Sequence, residues 1–165
     1  MSRKRTALEG SIMNTPTTSE LDHDTIQHLQ KLTQANIDSV NGFREAAERV
    51  EDRQVAELFR CLATDRAQFA DQLSQYVAIN NEQPPTEGSW LASLHRVWLD
   101  LRGRLSGGDA SGILAEAERG EDYIKSAYEK ALKETAGSPV NDVLLHQYRV
   151  VKEGHDRVRE MRGSR

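Results

Sequence analysis

The chain has 165 residues, of which 37% are hydrophobic, 29% charged and 5% aromatic, and its formal net charge is −4. One domain of this length can bury a sizeable core. So few aromatic and so many charged residues are typical of helices that are apolar along one stripe, which leaves little basis for an all-β fold. The small negative charge argues against a nucleic acid or an anionic membrane surface as partner, so a small molecule or a protein is expected.

The first 19 residues show no apolar periodicity, and they predict a flexible arm ahead of a single domain over residues 20–162. The basic residues Arg3, Lys4 and Arg5 are not followed by an apolar signal core. No run approaches the ~20 apolar residues of a membrane span. The sequence therefore predicts a cytoplasmic protein that does not cross a membrane.

Two long helices are predicted over about 20–50 and 53–79, the first starting at Thr18 or Ser19. Along both, apolar residues recur at alternating steps of three and four, the pattern of a face that packs in a bundle. The faces comprise Ile26, Leu29, Thr33, Asn36, Val40, Phe43, Ala47 and Val50, then Val55, Leu58, Leu62, Asp65, Phe69, Gln72, Tyr76 and Ile79. The short turn between the helices predicts antiparallel neighbours. Cys61 lies in an apolar stretch and is predicted to be a buried, inert thiol.

A short helix is predicted over about 89–105, within a longer connection. Its aromatic residues Trp90 and Trp98, with Leu91 and Leu94, are expected to hold it on the bundle, or to form a dimer surface if part of that face is exposed. Two more long helices are predicted over about 109–135 and 140–162. Two helical hairpins joined by a long connection predict an all-α antiparallel four-helix bundle with a crossover between helices 2 and 3.

Each long helix carries one strongly polar residue near the middle of its apolar face: Asn36, Asp65, Glu121 and His155. In an antiparallel bundle the middles of the helices lie at similar heights, so these side chains are expected to converge. Burying a carboxylate or an imidazole without a partner is costly, and a shared polar centre is therefore predicted. Glu118, Gln68 and Glu153 stand close by in sequence and are candidates to assist.

Three interpretations of this centre are open. It is a hydrogen-bonded polar core, or a site for one Fe, Mn or Zn ion held by Asp65, Glu121 and His155 with Glu118 or Glu153 assisting, or a di-iron centre. The first is favoured, with no cofactor bound and any metal site vestigial.

Two replacements argue against a working di-iron centre. Di-iron bundles take a Glu-x-x-His pair from each of two helices, and the corresponding pairs here are Asp65-x-x-Gln68 and Lys152-x-x-His155. An amide is a poor substitute for imidazole, and Lys152 places a cation where a carboxylate is needed. One hypothesis is that the Lys152 ammonium, beside Glu121 or Asp65, supplies the positive charge that iron otherwise would.

Several segments resemble ferritin-like proteins. Residues 29–43, 65–73 and 152–155 resemble helices of bacterioferritins and ferritins, and this implies that Asn36 replaces the first-helix Glu and that Glu121 or Glu118 is the third-helix carboxylate. Residues from about 24 to 162 resemble more closely a bacterial ferritin-like domain family of unknown function. The matching segments are 42–48, 94–98, 118–122, 147–148 and 155–159.

The resemblance implies a ferritin-like fold and a stress-associated bacterial context, but no particular reaction. The first hypothesis is therefore a non-catalytic bundle that acts by association, with itself as a dimer or with another protein. The alternative is a metal-binding (Fe or Mn) redox protein with a reduced ferritin-type centre. A third, weaker hypothesis is a small apolar ligand bound within the bundle.

Overall fold

The computed structural model describes residues 21–80, 82, 92–105, 107 and 109–165, with only the backbone of 92–94. Within these ranges the chain contains five helices and no strand, which confirms the all-α prediction. The helices are α1 (His23–Arg49), α2 (Arg53–Ile79), α3 (Ala92–Leu105), α4 (Ala110–Glu134) and α5 (Asn141–Gly163). The predicted N-terminal arm, and the side chains of Trp90, Leu91 and Leu94, lie outside the described part.

Aspartate side chains cap three of the helices. Asp22 accepts a hydrogen bond from the backbone N–H of Thr25 at 2.7 Å, and α1 therefore begins at His23. Asp52 and Asp109 cap α2 and α4 in the same way. Such a side chain satisfies backbone donors that the first turn leaves free. The predicted cap at Thr18 or Ser19 lies outside the described residues, and the chain at Leu21 and Asp22 is not yet helical.

The four long helices contact one another in a ring, in the order α1, α2, α5, α4 and back to α1. Contacts between helix ends show that α1 is antiparallel to α2 and to α4, and that α2 is antiparallel to α5. They are Leu21 N to Asn80 Oδ1 (3.0 Å), Arg165 Nη1 to Asp52 Oδ2 (2.5 Å) and His28 Nε2 to Glu134 Oε2 (2.5 Å). The apolar faces of these helices meet inside the ring and form the core.

Helix α3 is held on the outside of the ring by Trp98, which is 6% exposed. Its ring packs edge-on against Phe43 with centroids 5.0 Å apart. A Cβ added at Gly42 of α1 would overlap the indole, and one added at Gly120 of α4 would lie 3.6 Å from it. Gly42 thus leaves the space that the indole fills, whereas a Cβ at Gly120 would make an ordinary van der Waals contact with it.

Four residues of α2 are less buried than the pattern predicts: Cys61, Asp65, Gln72 and Ile79. Cys61 is exposed, so the prediction of a buried thiol is wrong. The buried face of α2 is centred on Leu62, Arg66 and Leu73, and Cys61 points away from it while Asp65 lies half-buried at its edge. Within the part of the chain that the structure describes, every helix is too short or too polar to span a bilayer.

Candidate functional site

A buried ion pair lies in the middle of the core. Arg66 Nη2 of α2 donates to Glu121 Oε2 of α4 at 2.5 Å, and the two side chains are 0% and 1% exposed. Gly154 of α5 makes room for them. A Cβ there would come within 3.3 Å of both Arg66 Nη2 and Glu121 Oε2, and within 2.7 Å of Leu62 Cδ2. Three helices therefore build this pair, and the α5 position has no space for a side chain.

The charges of Arg66 and Glu121 depend on each other. Burial raises the pKa of the Glu121 carboxyl, and the Arg66 guanidinium opposes that rise. Each charge in a dry interior depends on the other, since removing either leaves an uncompensated ion. Among the described residues, Glu121 Oε1 and Arg66 Nε and Nη1 have no hydrogen-bond partner. The pair thus retains unused polar atoms that ordered water could satisfy.

A second polar feature is a hydrogen-bonded chain that joins all four long helices. Asn36 Nδ2 of α1 donates to Tyr128 Oη of α4 at 2.8 Å. Tyr128 Oη donates to Gln147 Oε1 of α5 at 2.8 Å, and Gln147 Nε2 donates to Gln72 Oε1 of α2 at 2.9 Å. Burial raises the pKa of the Tyr128 phenol. The hydroxyl therefore stays protonated and can act as donor and acceptor at once.

The side chains predicted to converge are instead held by separate partners. Glu121 pairs with Arg66, and Asn36 bonds to Tyr128. His155 is buried on α5, and its Nε2 lies 2.6 Å from Oδ1 of the exposed Asp122 on α4. The structure thus brings Glu121 close to the bundle centre while His155 turns to a neighbouring carboxylate.

The assisting acids also face elsewhere. Glu118 Oε2 lies 3.0 Å from Arg162 Nη1, and Glu153 is exposed. Gln68 is exposed as well.

The hypothesis that Lys152 supplies the positive charge in the core is wrong about which residue does so. Lys152 is exposed on α5, so its ammonium does not reach the core. The cation beside Glu121 is Arg66, from a different helix. A positive charge does stand against the buried carboxylate, as that hypothesis required.

The described residues do not fit a di-iron centre. Among them, no group of three His, Cys, Asp or Glu side chains is arranged to hold a metal ion. A di-iron bundle needs carboxylates and imidazoles from four helices to face one another. Here the central carboxylate faces a guanidinium and Gly154, which are not metal ligands.

Sequence patterns missed two of the central residues, Arg66 and Gln147. Both are 0% exposed. Arg66 stands beside Asp65, which the pattern placed on the face. Gln147 stands beside Tyr148, which continues the steps of three and four from Leu144 to Val151. Either of two adjacent residues continues the alternating steps of three and four, so periodicity alone does not show which of them is buried. A basic residue between Leu62 and Phe69 on an otherwise apolar face was the available signal for an internal partner of Glu121.

The chain matches the model of a known family. A family described as "Domain of unknown function (DUF2383)" matches residues 24–134, which are 111 of the 165 residues. The match spans α1 to α4 and includes Arg66, Glu121 and Tyr128. A search of curated proteins finds no match.

Proposed function

The chain belongs to the family described as Domain of unknown function (DUF2383), and from that premise we propose a ferritin-like four-helix bundle that acts by association and not by catalysis. In this proposal the Arg66–Glu121 ion pair stands where related bundles keep metal ions. The protein works in the bacterial cytoplasm, in a stress-associated context, as a dimer or with another protein.

The helix directions support the ferritin-like assignment. Helix α1 is antiparallel to both α2 and α4, so α2 and α4 run in the same direction. Two parallel helices need a long connection, and residues 80–109 with α3 provide it. One long crossover between two antiparallel hairpins is the topology that separates ferritin-like bundles from simple up-down-up-down bundles.

The buried ion pair is the observation that carries the proposal. A di-iron centre balances its carboxylates with metal charge, whereas here a guanidinium balances Glu121 at 2.5 Å. Arginine remains protonated at any physiological pH and is neither a metal ligand nor a redox group. The core can therefore be electrically balanced without a cofactor.

Metal analysis of the full chain, purified without chelator and again after loading with Fe²⁺, tests the non-catalytic proposal. We expect substoichiometric iron and manganese in both preparations, and the same thermal midpoint with and without chelator. Stoichiometric metal that is lost in Glu121→Ala but kept in Asp71→Ala would refute it and favour the redox alternative. Asp71 is a suitable control because it is an exposed acid on α2.

Association is proposed to use the outer side of α3. Leu99 is 47% exposed, whereas its neighbours Val97 and Trp98 pack inward. Light scattering of the full chain across a concentration series tests this. We expect a dimer that Leu99→Glu converts to a monomer, while Leu145→Glu, which alters a 37% exposed leucine on α5, leaves it intact. A monomer at the highest concentrations excludes self-association, and loss of the dimer in both variants excludes the α3 side as its specific surface.

A further inference from the structure

A groove of about 410 Å³ runs between α1 and α4, on the outside of the bundle and away from the ion pair. Its α1 side includes His28, Lys31 and Leu32, and its α4 side includes Lys130 and Ala131. The volume falls within the range of about 300–1,000 Å³ typical of small-molecule sites. The groove is therefore large enough for a compact organic ligand.

The floor of the groove is apolar because α4 presents small side chains there. Leu32 and Ala131 are each 2% exposed, and Ala127 is half-buried between them and the surface. Tyr123, which is half-buried, closes one part of the wall. A ligand lying on this floor would contact mainly carbon atoms.

The rim of the groove is cationic, although the protein carries a net charge of −4. Lys31 and Lys130 are exposed, and neither forms an ion pair with any residue that the structure describes. His28 is held by Glu134 at 2.5 Å. None of the described residues that line the groove is acidic. Two uncommitted ammonium groups beside an apolar floor complement a ligand with an anionic head and an apolar body.

We propose that this groove binds a small organic monoanion, a carboxylate or sulfonate with an aliphatic or aromatic body. Lys31 and Lys130 hold the anionic head, and Leu32, Ala127 and Ala131 contact the apolar body. The inference rests on the α1–α4 surface and is independent of what the Arg66–Glu121 core does. It holds equally for a dimeric and a monomeric bundle.

The test uses decanoate, with 1-decanol as its neutral counterpart, titrated calorimetrically into the full chain. We expect saturable binding of decanoate at one site. Lys31→Glu/Lys130→Glu should weaken decanoate binding about tenfold or more at low salt, because attraction becomes repulsion. Decanol should change by about twofold or less, since it carries no charge to be repelled.

A steric variant tests the location without changing charge. Ser126 is exposed and lines the groove, so Ser126→Trp should fill the groove and abolish binding of both ligands while the helix still folds. Lys133 is exposed on the same helix and outside the groove. Lys133→Glu therefore serves as the control for a charge reversal on α4 outside the groove, and Lys133→Trp as the control for bulk; both should bind decanoate like the parent.

Three results would overturn the proposal. The first is no saturable binding of decanoate to the parent chain. The second is unchanged decanoate binding in Ser126→Trp, which would place the ligand elsewhere. The third is equal weakening by Lys133→Glu and by the groove double variant, which would show a general charge effect. Circular dichroism melts of each variant establish that the compared proteins are folded.

Discussion

Removing the guanidinium from the core tests how the ion pair contributes to stability. Arg66→Leu keeps an apolar side chain at a position that is 0% exposed but leaves Glu121 buried without its cation. Breaking a buried pair in this way costs about 3–5 kcal/mol. A domain of this kind has a total stability of about 5–15 kcal/mol, so the variant should lose a large fraction of it.

The matched comparison is the double variant Arg66→Leu/Glu121→Leu. Because it removes both charges, replacing the pair by apolar side chains should be close to neutral or even stabilising by about 1–4 kcal/mol. Urea denaturation of the parent, both single variants and the double variant closes the cycle. If the losses in the free energy of unfolding of the two single variants add up in the double variant, the claim that each buried charge depends on the other is refuted.

The loss in Arg66→Leu should also depend on pH. Burial already raises the pKa of Glu121 above its usual value of 4.5, and removing Arg66 removes the main opposing influence. A carboxyl whose pKa is raised in the folded state binds more protons folded than unfolded, so the free energy of unfolding falls as pH rises above 4.5. The deficit of Arg66→Leu should therefore be larger at about pH 8 than at about pH 5. Equal deficits at both pH values would contradict the assignment of the effect to Glu121.

Three further predictions concern the packing around the polar core, and urea midpoints check each one. Gly154→Ala should lower the free energy of unfolding by about 1–3 kcal/mol because its Cβ meets three side-chain atoms, whereas Gly163→Ala, with no atom within 4 Å, should not. Gly42→Ala should lower the free energy of unfolding by as much or more, because its Cβ overlaps the indole of Trp98. It should also weaken the near-UV circular dichroism signal of the packed tryptophan, and an unchanged spectrum would contradict the packing described for α3. Tyr128→Phe should cost about 1–3 kcal/mol because Gln147 Oε1 loses its donor and Asn36 Nδ2 keeps only its bond to the Leu32 carbonyl. A loss no larger than that of Tyr148→Phe, whose hydroxyl bonds at the surface, would count against the buried chain.

The sequence predicted the helices well because their apolar residues repeat at helical spacing and because short polar breaks separate them. It predicted the depth of individual polar residues less well. Between Leu62 and Phe69, either Asp65 or Arg66 keeps steps of three and four. The pattern was assigned to the acid, whereas the helix packs with the arginine at the centre of its buried face and the aspartate at its edge.

The same ambiguity affects α5. Between Val151 and Val158, either Gly154 or His155 continues the pattern, and the histidine is the residue that suggests chemistry. In the structure both are buried, but it is Gly154 that lies against the ion pair while His155 turns toward Asp122. A glycine gives no chemical signal of its own in a sequence, since its role here is to leave room for groups on other helices.

Glu121 was predicted as a central residue because it interrupts an apolar face, and burial follows from that position whatever its partner is. The identity of the partner depends on how α2 and α4 are rotated about their axes. Small rotations decide which of two adjacent side chains points inward, and apolar periodicity allows both. This is why the burial of Glu121 could be predicted from sequence while its charged partner could not.

The hydrogen-bonded chain from Asn36 through Tyr128 and Gln147 to Gln72 fixes the axial register of the four long helices. Leucine and alanine faces tolerate sliding, since one apolar contact replaces another at similar energy. A shift of one helix by a single turn, about 5.4 Å, would break a link and leave a buried amide or hydroxyl unsatisfied. The hydrogen-bonded side chains therefore favour one axial register of these helices, because a shifted register leaves buried polar groups without partners.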